Sequence, residues 1–299
     1  MKKQDFCIME KCNLCPRKCN ADRSIHKGFC RAGAEITAGR AGLHFWEEPC
    51  ISGCGGSGAV FFSGCNMGCI FCQNELLSRG FAGKEISVKR LREIFYELID
   101  EGADNINLVT PTHFVPLIAK ALSEERLPVP VVYNTSSYEE TDTLKTLDGL
   151  IDIYLPDLKY VSSGISRALS SAPDYFEKAL PAIKEMYRQT GDAVFDDEDM
   201  LQRGIIIRHL VLPGYLENTY DVIDKVSENF GEGVLFSLMS QYTPPKKKLE
   251  YPSLNRRLTE EEYESAVDYM YLAGIENGFL QELSSAKEEY TPDFDLTGI

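Results

Sequence analysis

The chain has 299 residues, of which 43% are hydrophobic and 26% charged, a composition typical of a soluble globular protein. Its formal net charge of −15 argues against a nucleic-acid binder, because phosphate contacts need a basic surface. No apolar run approaches the ~18 residues of a transmembrane helix, and the N-terminus lacks the apolar core of a signal peptide. We therefore expect a cytoplasmic protein.

Residues 7–33 form a cysteine-rich segment with little apolar periodicity, so a bound metal would have to supply its folding free energy. Ten cysteines in a cytosolic chain favour metal binding over disulfides. Four thiolates satisfy either zinc or an iron–sulfur cluster, and the spacing leaves both open. The predicted ligands are Cys12, Cys15, Cys19 and Cys30, which leaves Cys7 surplus.

Two further cysteines, Cys50 and Cys54, flank a glycine-rich stretch. Each is either the cap of a metal centre or a plain buried thiol, and the sequence does not distinguish these roles.

A second group of cysteines, Cys65, Cys69 and Cys72, follows the apolar run 59–63 at C-x-x-x-C-x-x-C spacing. The stretch from Gly64 to Cys69 is rich in Gly, Cys and Asn, which predicts a loop and not a helix. Cubane iron–sulfur clusters normally take four thiolates, so three would leave one iron with an open position. The spacing fits the common zinc motifs poorly.

Strand and helix signals alternate from residue 58 onward, which predicts a parallel sheet covered by helices. We expect a partial (β/α)6 barrel of the TIM type, with a doubly wound open sheet as the alternative. The predicted division is a Cys-rich extension (1–57), a barrel core (58–245) and a C-terminal helical segment that completes the barrel (246–299). The predicted strands are 59–63, 105–110, 129–134, 151–156, 205–212 and 234–239.

Polar side chains follow most of these strands, at the end where parallel β/α folds carry their sites. Asp157 and Lys159 point the same way, either as a structural ion pair or toward a ligand. On the fifth strand, Arg208 and His209 alternate, so one of them faces the interior. The predicted shared site contains Thr110, Thr112, His113, Asn134, Thr135, Asp157, Lys159 and Gln241.

The cysteine loop, with Phe71 before the last Cys, resembles the signature of the radical S-adenosylmethionine (radical SAM) superfamily. Within it, the chain resembles proteins similar to the pyruvate formate-lyase activating enzyme. The resemblance implies a partial TIM barrel, a [4Fe-4S] cluster on the loop cysteines and reductive cleavage of SAM bound by the shared strand-end site, with Asp157 and Lys159 as SAM contacts. The matching stretches are 12–19, 43–53, 61–65, 107–113, 154–157 and 240–244.

This resemblance implies an anaerobic oxidoreductase that abstracts hydrogen, with a glycyl radical enzyme as partner and flavodoxin or ferredoxin as electron donor. Two positions depart from the activating enzymes. Thr110-Pro111-Thr112 replaces a Gly-Gly-Glu motif that binds the SAM amino group, and Asn134 replaces an aspartate. The alternatives are radical modification of a small molecule or nucleic acid, and a non-enzymatic scaffold with zinc at both cysteine groups.

Overall fold

The computed structural model describes residues 10–283 and 292–299. Most of its strands form one mixed sheet in the order β10-β9-β8-β6-β5-β4-β2-β1-β3. From β2 to β10 every pairing along this path is parallel, while β1 pairs antiparallel with β2 and β3, and β7 antiparallel with β8. The strands are β1 Ile36–His44, β2 Ser57–Phe62, β3 Lys84–Ile86, β4 Asn105–Val109, β5 Val131–Thr135, β6 Ile153–Pro156, β7 Val194–Phe195, β8 Leu201–Leu210, β9 Leu235–Met239 and β10 Gly278–Leu280.

Most of the helices cover the outer face of the parallel strands. In the described part of the chain, none of them is long and apolar enough to cross a bilayer. They are α1 Pro49–Ser52, α2 Glu75–Ser78, α3 Val88–Asp100, α4 Val115–Ser123, α5 Thr141–Leu144, α6 Ser163–Ser170, α7 Tyr175–Thr190, α8 Leu216–Asn229 and α9 Glu260–Leu272.

Helix α3 shows how local sequence sets these elements. The Ser87 hydroxyl accepts a hydrogen bond from Arg90 N at 3.1 Å and caps the first turn. Leu91, Phe95 and Leu98 recur at helical spacing and are buried against the sheet. The chain leaves the helix through Gly102, whose φ of +96° suits glycine.

The sheet is curled, as the hydrogen bonds of the Glu47 carboxylate show. Glu47 accepts a hydrogen bond from Asn107 on β4 at 3.0 Å and one from Arg208 on β8 at 2.9 Å. In a flat sheet β4 and β8 would stand three steps of about 4.8 Å apart, roughly 14 Å. The predicted α/β partial barrel is therefore confirmed, and the doubly wound open sheet is not observed.

The six predicted strands correspond to β2, β4, β5, β6, β8 and β9. Sequence patterns missed β1, β3, β7 and β10. Strand β1, with the sequence ITAGRAGLH, is rich in Gly and Ala and carries little β-branched signal, so its pairing with β2 decides its structure. The predicted domain boundaries at 57/58 and 245/246 stay predictions.

Two of the apolar clusters in the described residues lie on opposite faces of the parallel strands. The larger one fills the space between the sheet and the outer helices. The smaller one lies inside the barrel, where Cys50 and Ile51 of α1 pack against Val132, Leu155 and Ile206. The four-residue helix α1 thus fills the interior of the barrel and closes it from within.

We expect Ile51→Ala to lower the free energy of unfolding by about 2–5 kcal/mol, because it opens a cavity where the surrounding strands cannot collapse. Ile51 is fully buried, whereas Ile25 is 71% exposed, so Ile25→Ala is the matched control. Urea denaturation of both variants measures the difference. Equal stability of the two variants would contradict a filling role for α1.

Candidate active site

The cysteine loop begins directly after β2, at the carboxyl end of the parallel strands. Gly64 has a φ of +96°, and a Cβ there would lie 2.3 Å from the carbonyl oxygen of Cys30. The same carbonyl accepts a hydrogen bond from Cys65 N at 3.1 Å. Glycine at position 64 is therefore required both by its backbone conformation and by the close approach of the N-terminal segment.

The three loop thiols, Cys65, Cys69 and Cys72, are half-buried neighbours. Burial and the nearby Cys69 and Cys65 raise the pKa of Cys72 to about 12. Burial also raises the pKa of Cys69, which the charge of Lys159 opposes. The hydroxyl of Ser170 donates to Cys69 Sγ at 2.9 Å. Thiolates are the species that bind metals. At neutral pH these three thiols therefore need a bound metal cation to lose their protons together.

The donor set of this loop suits a cluster better than a single ion. Across residues 10–283 and 292–299, no three His, Cys, Asp or Glu side chains meet at the spacing of one metal ion. An iron–sulfur cubane distributes its thiolates over separate irons, so its ligands stand further apart. Three neighbouring soft thiolates on a flexible loop therefore fit a [4Fe-4S] cluster.

A column of alternating charges runs from the cysteine loop into the barrel. Lys159 Nζ lies 2.6 Å from Asp157 Oδ2, and Asp157 Oδ1 accepts from Arg208 Nε at 3.0 Å. Arg208 also donates to Glu47 Oε2 at 2.9 Å and to Asn134 Oδ1 at 2.7 Å. Burial raises the pKa of Asp157, but Lys159 and Arg208 outweigh it and hold that pKa below its usual value.

This column bears on two alternatives that the sequence left open, and it decides which residue of β8 faces the interior. Asp157 and Lys159 do form an ion pair, at the barrel end that faces Cys69. On β8, Arg208 faces the interior, whereas His209 bonds to Leu158 O and Thr219 on the outer side. Glu47 was missed, because it lies in a loop before the first parallel strand and carries no motif.

The loops after β4 and β5 meet on one buried carboxylate, Glu139. Its Oε1 accepts from the hydroxyls of Thr112 at 2.5 Å, Thr135 at 2.6 Å and Tyr133 at 3.2 Å, while Oε2 has no hydrogen-bond partner. Burial raises the pKa of Glu139 to about 7, against these three hydrogen bonds, which lower it. Its position just after a strand was the available signal, and the sequence analysis missed it.

His113 lies behind the cysteine loop, where its Nε2 contacts Ser63 O at 2.8 Å and its backbone oxygen accepts from Arg23. Burial lowers its pKa to about 4, so the ring is neutral at pH 7. These contacts give His113 a structural role in supporting the loop.

The remaining predicted residues lie at the same end of the barrel. Thr110 is half-buried at the end of β4. Gln241 accepts, through its backbone oxygen, a hydrogen bond from Gln73 at 3.0 Å, which links β9 to the cysteine loop. The structure thus brings the eight predicted side chains to one end of the barrel, in the charged column, around Glu139 and beside the loop; their role in cofactor binding stays a prediction.

The N-terminal segment packs directly on this site through two arginines. Arg17 donates to the carbonyl oxygens of Asn66 at 2.7 Å and Met67 at 3.0 Å, and its guanidinium lies 4.1 Å from the ring centroid of Phe29. Arg23 binds Gly33 O and His113 O. The segment therefore belongs to the wall of the site.

Its four cysteines lie close together. A Cβ on Gly28 would lie 3.3 Å from Cys19 Sγ and 3.5 Å from Cys30 Sγ, so glycine leaves room between two sulfurs. Burial and the nearby Cys30 and Cys12, against a backbone hydrogen bond, raise the pKa of Cys15 to about 12. Four soft thiolates fit zinc or an iron–sulfur cluster.

The other cysteines have separate environments. Cys50 is buried in the apolar barrel interior and is a plain buried thiol, while Cys54 is exposed. Cys7 lies outside the described residues.

Two cavities differ in their relation to this site. One of about 290 Å³ lies at the open side of the barrel and is lined by Arg208 and Gln241. A larger one, of about 380 Å³, lies between α8, α9 and the start of β9, and none of the predicted site residues lines it. The smaller cavity is the one connected to the column.

Comparisons with known proteins agree with this geometry. The chain is 33% identical over 271 residues to the uncharacterized protein MJ0674 of Methanocaldococcus jannaschii, a match that covers 87% of this chain and 74% of that protein.

Solved structures are more distant. SuiB of Streptococcus suis, bound to its precursor peptide SuiA, gives a TM-score of 0.48 at 16% identity, covering 74% of this chain and 48% of SuiB. This chain thus spans about half the length of SuiB. Active domain 2 of a thermostable chitinase from Pyrococcus furiosus gives 0.37 at 15% identity, covering 64% of this chain and 68% of that one. TM-scores below 0.5 are too low to indicate the fold or the function of this chain.

The sequence match to a family is decisive. The model of the Radical SAM superfamily matches residues 59–226, which is more than half of the chain and includes the cysteine loop together with Asp157, Lys159 and Arg208 of the column. This chain belongs to the radical SAM superfamily.

Proposed function

We propose that the chain is an oxidoreductase that cleaves SAM reductively at a [4Fe-4S] cluster on Cys65, Cys69 and Cys72, and abstracts hydrogen from a substrate. The supporting observation is the position of three neighbouring thiols at the carboxyl end of β2, beside the Lys159–Asp157 pair. When bound, the cluster supplies the electron that cleaves SAM and an iron that takes the SAM amino and carboxylate groups.

In this proposal the column orients SAM. Lys159 neutralises the methionyl carboxylate, and Asp157 accepts hydrogen bonds from the ribose hydroxyls. Arg208 holds Asp157 in its ionised form, since it stabilises the carboxylate from the opposite side. Thr110, Thr112, Asn134, Thr135 and Gln241 supply the polar rim.

Glu139 supports this rim from behind. Because its Oε1 accepts hydrogen bonds from both Thr112 and Thr135, it fixes the loops after β4 and β5 relative to each other. In the activating enzymes an acidic motif after the corresponding strand binds the SAM amino group. Here the threonine hydroxyls and backbone carbonyls of these loops take that role.

For the substrate we propose a glycyl radical enzyme partner, with flavodoxin or ferredoxin as electron donor. The similarity of the motifs to activating enzymes supports this choice. A nucleic-acid substrate is disfavoured by the net charge of −15.

We further propose a metal centre, either zinc or a second iron–sulfur cluster, on Cys12, Cys15, Cys19 and Cys30. The supporting observation is that the sulfurs of Cys19 and Cys30 both lie close to Gly28. This centre would stabilise a segment that otherwise has only a small apolar core.

The first prediction concerns the chemistry. Anaerobically reconstituted protein supplied with SAM and dithionite should form 5′-deoxyadenosine and methionine, measured by liquid chromatography with mass spectrometry. Cys69→Ala should abolish both products, because it removes a cluster ligand, while Cys54→Ala, at an exposed cysteine, should retain them. Product formation by Cys69→Ala at the wild-type rate would exclude the proposed centre.

The second prediction concerns Lys159. Lys159→Gln should weaken SAM binding at least about tenfold, because a charge-assisted hydrogen bond to carboxylate is lost. The control is Lys178→Gln, which removes another paired lysine, bound to Glu140. Equilibrium dialysis with radiolabelled SAM, alongside urea denaturation, separates binding from stability. Unchanged SAM affinity at reduced stability would assign the Lys159–Asp157 pair a structural role only.

The third prediction concerns the N-terminal metal. Metal analysis of anaerobically purified protein should give either one zinc or about four additional irons per chain. Cys12→Ala should contain less of this metal than the wild type, since three thiolates bind a structural ion or cluster less tightly than four. Iron at the Cys65 loop should persist in that variant. A wild-type metal content in Cys12→Ala would show that residue not to be a ligand.

A further inference from the structure

The cavity of about 290 Å³ lies where the two edges of the curled sheet approach each other. One wall is the segment 45–49 before β2, and the other consists of residues from β8, β9 and β10. Its upper edge is Gln241, which is bonded to Gln73 beside the last loop cysteine. The cavity is close to the roughly 300 Å³ lower limit of ligand pockets, so it suits one side chain or a small molecule.

One lining side chain has a buried oxygen without a hydrogen-bond partner. Glu48 is nine-tenths buried, and its side chain is 7% exposed. Its Oε2 accepts no hydrogen bond, and Arg208 Nη1 stands 3.9 Å away. The backbone is held in place, because Glu48 O accepts from Ile51 N at 2.8 Å and Ser52 N at 3.0 Å. A buried carboxylate oxygen without a partner is costly, which makes a ligand the expected partner.

The neighbouring cations already have carboxylate partners. Arg208 donates to Glu47 and Asp157, and Lys159 pairs with Asp157. Three carboxylates, those of Glu47, Glu48 and Asp157, therefore share two cations, and Glu48 has the longest of the contacts with Arg208. Burial raises the pKa of Glu48, so a cation bound beside it would stabilise its ionised form. The ligand that suits this carboxylate is a cation.

Aromatic rings stand at the mouth of the same cavity. Phe45 is 50% exposed and Trp46 54% exposed, and both line it together with Phe279. Aromatic faces attract cations through their quadrupole, and this attraction grows when the cation is partly desolvated. Rings beside a buried carboxylate are thus suited to an ammonium or guanidinium group.

We propose that this cavity binds a cationic group of the substrate, an ammonium or guanidinium, with Glu48 as its counter-ion and Phe45 and Trp46 against its flanks. The inference rests on the proposed function, because it assumes that the substrate enters the site from this side of the barrel.

The single tryptophan of the chain makes this site directly observable. Trp46 emission of the reconstituted protein is followed during titration with three probes: the blocked tripeptide Gly-Lys-Gly amide, its norleucine counterpart, and pentylamine. The lysine peptide or the amine should change the emission saturably, while the norleucine peptide should bind at least about tenfold more weakly, because it lacks the charge. Saturation by the peptide alone would indicate a peptide-borne cation, and saturation by the amine alone a free one.

Two variants test the counter-ion. Glu48→Gln should weaken binding of the cationic probe at least about tenfold, and Glu48→Asp should retain part of it, since the charge stays. Glu101→Gln, at an exposed glutamate outside the cavity, should leave the affinity unchanged. Equal affinity of wild type and a folded Glu48→Gln, checked by circular dichroism, would overturn the proposal.

The comparison of charged and neutral probes on the wild-type protein needs no variant, so the proposal stays falsifiable if Glu48→Gln does not fold. Equal binding of the lysine and norleucine peptides, or no saturable change with any probe, would overturn it. The 5′-deoxyadenosine assay on the same preparation keeps the two proposals apart. Normal SAM cleavage without probe binding would reject the cation site alone, whereas probe binding without SAM cleavage would reject the proposed chemistry.

Discussion

The interior of the barrel depends on one buried guanidinium. Burial lowers the pKa of Arg208, but Asp157, Glu48 and Glu47 outweigh it and keep that pKa above its usual range. A guanidinium offers five donors in a fixed plane, which suits several acceptors at once. Arg208 uses them on Asp157, Glu47 and Asn134, and so joins β8 to β5, to the end of β6 and to the segment before β2. Removing it would leave buried carboxylates without compensation.

The column also connects the interior to the chemistry at the rim. Asp157 is shared between Arg208 and Lys159, and Lys159 faces Cys69. A change of charge in the interior therefore reaches the cysteine loop through two ion pairs. The cation stabilises the thiolate form of Cys69, which is the form that binds metal. The charges of the barrel interior and of the cysteine loop are thus parts of one electrostatic unit in a low-dielectric environment.

The N-terminal segment and the cysteine loop depend on each other in a similar way. Cys30 O accepts the Cys65 N–H, and Arg17 binds carbonyl oxygens from the loop and from the end of α6. A metal on the four N-terminal cysteines would order this segment and, through these bonds, the loop. Folding of the extension and geometry of the cluster site are then linked, because they share the same backbone hydrogen bonds.

Periodicity and spacing alone determined much of this protein. The near-continuous apolar runs predicted β2, β4, β5, β6, β8 and β9, since strands buried on both faces cannot alternate with polar residues. The spacing of Cys65, Cys69 and Cys72 predicted the kind of centre, because three thiolates on one short loop leave an iron open. Strand ends predicted where Asp157 and Lys159 lie, since parallel strands bring their carboxyl ends to one edge.

The tertiary structure alone decided the rest. Glu47 and Glu48 lie about 160 residues before Arg208 in the chain, and only the curl of the sheet brings them together with it. Helix α1 is too short for the sequence to predict its position. It lies inside the barrel because its side chains fill the apolar space there. Glu139 has no motif, and its role follows from three hydroxyls, two on β5 and one in the loop after β4. These features depend on long-range packing and charge compensation, which no local pattern of residues encodes.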